Sequence, residues 1–229
     1  MSGGGDRARR GQVEKPGRDS QGVSRRGRKR DSEIDRRIRH AARVLYATDG
    51  WIGFHLVGVA KASGVSRDAV NRRYADSATL LLDALADQTL PALSETAPVQ
   101  EALVAYAVAT FDYVASGDGF ANLRVHLDGE CHPEILWAYH ERVVAPAAKR
   151  DIETLQRARD AGLLGTTTDC EAVIMTVNGT MLAIALARQA GAVSQDRQST
   201  IRHIQQVVHQ ILHGAVGPRT DPSQLHDPD

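Results

Sequence analysis

The sequence predicts an all-α fold, with three short helices at the N-terminal end and a larger helical domain after them. Three observations predict it. Apolar residues recur at spacings of three and four over most of residues 31–213, no run alternates as a half-buried strand does, and capping residues, Gly or Pro separate the helical runs. Of 229 residues, 42% are apolar and 24% charged, the composition of a globular chain rather than a disordered or fibrous one. That length suits one large domain or two small ones.

The first helix starts at Asp31, where Asp31, Glu33 and Asp35 favour the positive end of the helix dipole. Ile34, Ile38, Ala41, Ala42 and Leu45 form its apolar stripe, and Asp49-Gly50 ends it. A second helix is expected over 55–63 and a third over 66–74. Asp76 or Ser77 caps a fourth, whose stripe of Leu80, Leu81, Ala84 and Leu85 closes before Pro91. Further helices are expected over 99–116, 120–128, 133–161 with a kink at Pro146, 169–190 and 199–213. Residues 214–229, with three prolines among aspartates, read as a disordered tail. The run Ala172–Ala187 is interrupted by Thr176, Asn178, Gly179 and Thr180, and reads as a buried helix rather than a membrane span.

Charge is divided along the chain. Residues 1–75 carry 18 Lys or Arg against 8 Asp or Glu, and residues 76–229 carry 10 against 20. A basic third beside an acidic remainder points to a polyanion met at one end. Residues 1–30 hold ten basic and three acidic residues with almost no apolar ones, and read as a flexible arm ending in Arg25-Arg26-Gly27-Arg28-Lys29-Arg30. A merely solvated tail is the other reading. Cys131 and Cys170 allow neither a disulfide framework nor a four-thiolate site, and without a signal-peptide pattern the expected compartment is the cytoplasm.

Residues 56–74 have the spacing of a helix-turn-helix. Ala60 is small where the next helix crosses, Gly64 suits the left-handed end of the first helix, Ser66 caps the second, and Val59, Val65 and Val70 fill the space between them. In such a motif the second helix enters the DNA major groove. Here its outer surface carries Arg67, Asp68, Asn71 and Arg72; arginine pairs with guanine and asparagine with adenine. A three-helix module with a charged outer face would share the pattern.

Residues 28–85 resemble the DNA-binding domain of the TetR family of bacterial transcriptional regulators. The resemblance rests on Arg26-Gly27-Arg28, Ala41-Ala42 with Leu45, Asp49-Gly50-Trp51, Val59-Ala60, Gly64-Val65-Ser66 and Leu80-Leu81; His132-Pro133-Glu134 and residues 158–164 extend it to about 25–213. It implies an arm over 1–30, a DNA-binding domain over 31–76 and a ligand-binding and dimerisation domain over 77–213. The implied DNA contacts are Arg28, His55, Ser66, Arg67, Asp68, Asn71, Arg72, Arg73 and Tyr74. Three positions depart from the family's pattern: Asn71 replaces a backbone-touching tyrosine, Ser77 a phosphate-binding lysine, and His55 a Ser or Thr cap. Arg72, Arg73 and the arm would have to compensate.

Two stripes, Val173, Val177, Thr180 and Ile184, then Ile201, Ile204, Val208 and Ile211, have the spacing of helices packed along a seam. The resemblance makes that seam a homodimer interface; a core stripe within one monomer has the same periodicity. For a ligand pocket the larger side chains are Tyr106, Phe111, Phe120, Leu123 and His126, with Trp137, His140, Met175 and Met181. Trp137 and His140, three apart on one helix face, are the favoured pair, for a mainly apolar ligand with a polar handle. His126, Asp128, Glu130, Cys131, His132 and Glu134 match no familiar zinc spacing and read as a polar connection. No cofactor is expected, and no Gly-rich phosphate loop, H-E-x-x-H or G-x-S-x-G motif suggests an enzyme. The expected function is a ligand-released repressor bound to a palindromic operator. The alternative is a small-molecule-binding or enzymatic helical dimer that no longer binds DNA.

Overall fold

A computed structural model describes residues 24–214, with side chains from Ser32 onward. The described residues form α-helices, one π-helical segment and connecting turns, with no strand among them. Helix α1, Ser24–Gly53, starts before the expected Asp31, so the backbone of Arg28 is helical. Arg28's side chain, residues 1–23 of the arm and residues 215–229 of the tail lie outside the described residues. Gly50, at φ 65° and ψ −169°, interrupts α1 where Asp49-Gly50 was expected to end it.

Helices α2 (Leu56–Ser63), α3 (Arg67–Asn71) and α4 (Ser77–Ala86) follow. Helix α3 is shorter than expected, and the chain turns through Arg72–Tyr74 before Asp76 caps α4 by accepting from the Thr79 N–H. Next come α5 (Val99–Val114) and α6 (Gly117–Asp128). Ser116 caps α6 by accepting from the Gly119 N–H, three residues before the expected start; Gly117 and Gly119 are poor helix formers and hide the first turn from a sequence reading.

The helix expected over 133–161 is α7 (Pro133–Tyr139), a π turn over His140–Val144, and α8 (Ala145–Asp160). Pro146 has no N–H to give to the Arg142 carbonyl. The chain passes it by widening into a π turn, closed by a bond from the Ala145 N–H to the His140 carbonyl. Helices α9 (Cys170–Gln189) and α10 (Arg197–His213) are the last among the described residues, capped by Asp169 and Asp196. By length and mean hydropathy α9 could cross a membrane, yet Ile174, Val177, Met181, Ile184 and Ala185 are buried in the protein core.

Two apolar cores result. The first joins α1–α4 to α6 and α7 through Ile38, Tyr46, Phe54, Val59, Val70 and Leu81 against Val125 and Tyr139. The second joins α5, α8, α9 and α10 through Leu103, Phe111, Leu155, Ile174, Met181 and Ile204. Helix α6 lies across α1 and is bonded to it at both ends. Arg43 Nε meets Asp118 at 2.9 Å while its Nη1 donates to the Ala84 carbonyl at 2.9 Å. At the other end Asp128 accepts from the Tyr46 hydroxyl at 2.9 Å and the Trp51 N–H at 3.2 Å, and Arg124 donates to the Ala47 carbonyl at 3.2 Å. Burial and Asp128 both push the Tyr46 pKa up, which keeps its proton in this bond.

Candidate functional site

The turn between α2 and α3 is built from local chemistry. Gly64 takes the left-handed conformation (φ 65°, ψ 27°), its N–H reaches back to Ala60 and Lys61 carbonyls, and the Val65 N–H bonds the Ala60 carbonyl at 3.1 Å. Ser66 then accepts from the Ala69 N–H at 3.3 Å. Val59, Ala60 and Val70 are buried between the two helices and α1. Gly58, unusual inside a helix, is explained by α1: a Cβ there would stand 3.0 Å from Leu45 Cδ2. Arg37 of α1 donates to the Ser63 carbonyl, anchoring the end of α2.

This packing leaves Ser66, Arg67, Asp68, Asn71 and Arg72 exposed, together with His55 and Lys61. Ser66 is occupied as a cap, and His55 stands at the N-cap of α2 without a capping bond from its side chain. Two expected DNA contacts are placed otherwise. Tyr74 is buried and its hydroxyl donates to Asp83 at 2.8 Å, so its ring belongs to the core. Arg73 is half-buried, with Nε 2.6 Å from Asp35 of α1 and Nη1 on the Ala69 carbonyl, so it braces α3 from behind.

A cavity of about 230 Å³ lies between α5, α6, α8 and α9, roofed by Leu90 and Pro91. Of the nine side chains expected there, Tyr106, Leu123 and His126 line it. Phe111 and Met181 are buried in the second core, and Phe120 packs against the first. Trp137 is 66% exposed, His140 is exposed and Met175 is 66% exposed, so none of these three faces the cavity. Helix α7 turns Ile135 and Tyr139 inward, which leaves Trp137 outward, and His140 stands exposed at the start of the π turn.

Of the cavity's polar side chains, the sequence marks Tyr106 and His126 but not Tyr113, Asn122 or Asp151. Tyr106 donates to Asn178 Oδ1 at 2.9 Å, and burial with the nearby Asp151 charge raises its pKa. Tyr113 donates to Gln88 Oε1 at 2.9 Å; Asn122 Nδ2 also reaches Gln88 Oε1 at 3.1 Å, the Tyr113 oxygen and the Asp118 carbonyl. Asp151, buried in the wall, accepts from the Leu93 N–H at 3.1 Å and is paired with Arg150 at 2.9 Å. His126 stacks edge-on against Tyr139, and burial, followed by the charge of His140, lowers its pKa. No sequence signal marks Gln88 as the partner of Asn122, or Leu93 as that of Asp151, because the bonded residues lie 34 and 58 positions apart.

The expected seam on α9 and α10 is corrected by burial. Val177, Ile184, Ile204 and Val208 are buried inside the monomer, Val173 and Ile211 pack on the same core, and Thr180 bonds the Thr176 carbonyl of its own helix at 2.7 Å. Ile201 is half-buried. Half of the two stripes is thus monomer core, and Val173, Thr180, Ile201 and Ile211 stay half-buried. The outward face of α9 instead shows Ala172, Met175, Thr176, Gly179, Ala183 and Leu186, and a Cβ at Gly179 would meet open space. The polar stretch His126–Glu134 disperses: His126 faces the cavity, Asp128 bonds α1, and His132 lies against Trp51 with ring centroids 5.2 Å apart.

No protein-family profile matches the sequence, and no curated protein does. Solved structures match in fold. The TetR family transcription regulator SCO0332 is 22% identical, with 81% of this chain and 100% of that one covered and a TM-score of 0.56. A TetR family transcription regulator from Marinobacter aquaeolei VT8 is 16% identical over 82% and 97%, with a TM-score of 0.62. MexZ, a repressor responsible for antibiotic resistance in Pseudomonas aeruginosa, is 17% identical over 79% and 95%, with a TM-score of 0.61. The chain has the all-α fold of TetR-family transcription regulators.

Proposed function

We propose that the protein is a cytoplasmic, homodimeric transcriptional regulator of the TetR type, a repressor released from a palindromic operator by a small molecule. The observation that carries this reading is the outer face of α3: Arg67, Asp68, Asn71 and Arg72 stand exposed on a short helix fixed from behind by the Ser66 cap, Val70 and the Arg73–Asp35 pair. Side chains of these types read guanine and adenine edges. A two-fold dimer would set two such helices about 34–36 Å apart, one turn of DNA. The exposed small and apolar face of α9 suits the dimer contact, since small residues let helices approach closely.

Ligand control is supported by α6, which lines the cavity with Gly119, Asn122, Leu123 and His126 and is bonded to α1 through Asp118 and Asp128. A ligand acts on DNA binding only if it favours one arrangement of these helices over another. The test is selection of bound sites from random DNA, followed by titration of the selected site against salt. A palindromic site whose affinity falls as salt rises supports the reading. Failure to enrich any sequence would favour the second reading, a ligand-binding or enzymatic helical dimer. Asn71, Ser77 and the uncapping His55, at positions of the phosphate clamp in the resemblance, are the residues that favour it.

A further inference from the structure

We infer that the cavity between α5, α6, α8 and α9 takes a small, uncharged molecule, about one substituted ring in size, that donates a hydrogen bond to Asn122 Oδ1. The inference rests on the ligand-controlled reading above and narrows it to a chemical class.

Size sets the first limit. At about 230 Å³ the cavity is smaller than the roughly 300–1,000 Å³ of sites for drug-sized ligands. An apolar cavity of about 150 Å³ holds a benzene ring, so this one has room for a ring and a few further atoms. Leu90, Val114, Leu123, Val144 and Leu182 give most of its wall an aliphatic character.

Polarity sets the second. Asn122 lines the cavity at 5% exposure, and its Oδ1 has no hydrogen-bond partner among the described residues. The amide cannot relieve this by turning over. Its Nδ2 donates to the Asp118 carbonyl, an acceptor only, so the turned-over amide would set oxygen against oxygen. A buried acceptor in this position is costly until a donor reaches it, which makes it a specificity element for hydroxyl or N–H groups.

Charge sets the third. Neither Lys nor Arg lines the cavity, and its one carboxylate, Asp151, is already matched by Arg150 and the Leu93 N–H. His126 is held below the ordinary imidazole range by burial, and so brings no cation at neutral pH. An anionic ligand would sit unpaired near Asp151, and a cationic one would lose its water for a carboxylate already neutralised.

Four probes of nearly equal shape test this on the full chain without DNA: benzyl alcohol, toluene, benzoate and benzylammonium, with binding followed by calorimetry or ligand-observed NMR. Benzyl alcohol should bind about tenfold more tightly than toluene, the effect of one buried hydrogen bond, and both ions more weakly than either. Asn122→Leu should remove the preference for the alcohol while keeping toluene. Leu182→Trp, which fills the cavity from α9 without touching the amide network, should abolish binding of all four. Equal binding of alcohol and toluene, tightest binding of an ion, or no binding by any probe overturns the inference. Alcohol binding that leaves DNA affinity unchanged would count against ligand control and leave the cavity's chemistry standing; DNA release by an ion alone would do the reverse.

Discussion

The helix-turn-helix and the cavity are built by opposite means. Around α2 and α3 the determining contacts are short in sequence: Ser66 to Ala69, Gly64 to Ala60, Asp76 to Thr79. Around the cavity they are long: Tyr106 to Asn178, Asn122 to Gln88, Asp151 to Leu93. Local bonds let a short motif place an exposed polar face with few residues. Long-range bonds let one helix, α6, share its two faces between the cavity and α1, so the helix that lines the cavity also holds the first helix of the N-terminal domain.

The largest expected effect probes the core that the α9 and α10 stripes form. Ile204→Asp or Val208→Asp should abolish cooperative thermal unfolding, because an unpaired charge in that site costs several kcal/mol. Met175→Asp, on the outward face of α9, should leave the helical circular dichroism intact and lower the sedimentation coefficient if α9 carries the proposed dimer contact. A folded monomer from Ile204→Asp would return the seam to the subunit interface.

The link between the two regions comes next. Asp118→Ala strips the Arg43 guanidinium, 10% exposed in its side chain, of its charged partner, and should cost roughly 1.5–3 kcal/mol in denaturant unfolding. If α6 carries the coupling, this variant should also weaken the effect of any bound effector on operator affinity, while binding in the cavity persists.

Within the reading face, Arg67→Ala and Asn71→Ala should each relax preference at one base pair, by about 1–3 kcal/mol where the contact is bidentate. Arg73→Ala is the contrast. Its bond to Asp35 predicts lower stability with unchanged base preference, measured by site selection beside thermal unfolding. A specificity change in Arg73→Ala would move that residue back to the DNA.

The smallest effect is a pH dependence at the cavity wall. Burial lowers the His126 pKa from its ordinary 6.5, so the unfolded chain takes up the proton first. His126 therefore adds no destabilisation above about pH 6.5, and stability falls as pH drops through that value towards the lower folded pKa. His126→Phe should flatten that part of the profile in unfolding experiments run from pH 7.5 to 5.

Much of the fold was legible because helix signals are local. Asp76, Asp169 and Asp196 act as caps by accepting from backbone N–H groups three residues on, and Gly64 takes the conformation that its place before Val65-Ser66 called for. The exposure of Arg67, Asp68 and Asn71 followed from α3 itself. The partners that hold Tyr74 and Arg73, Asp83 and Asp35, lie on α4 and α1, out of reach of a motif.

Periodicity also reaches a limit that residue chemistry cannot pass. It shows that Val177, Ile184, Ile204 and Val208 share helix faces, but a core and a subunit interface ask for the same spacing. It places Trp137 and His140 together without saying which way α7 turns. By itself, then, the sequence determined the helices, their caps, the α2–α3 turn and the division of charge, because each depends on neighbours within a few residues. Only the tertiary structure decided which face of α7 and α9 meets solvent, and that Asn122, Gln88 and Tyr113 meet beside one cavity, because these depend on how separate helices stack to bury their apolar area.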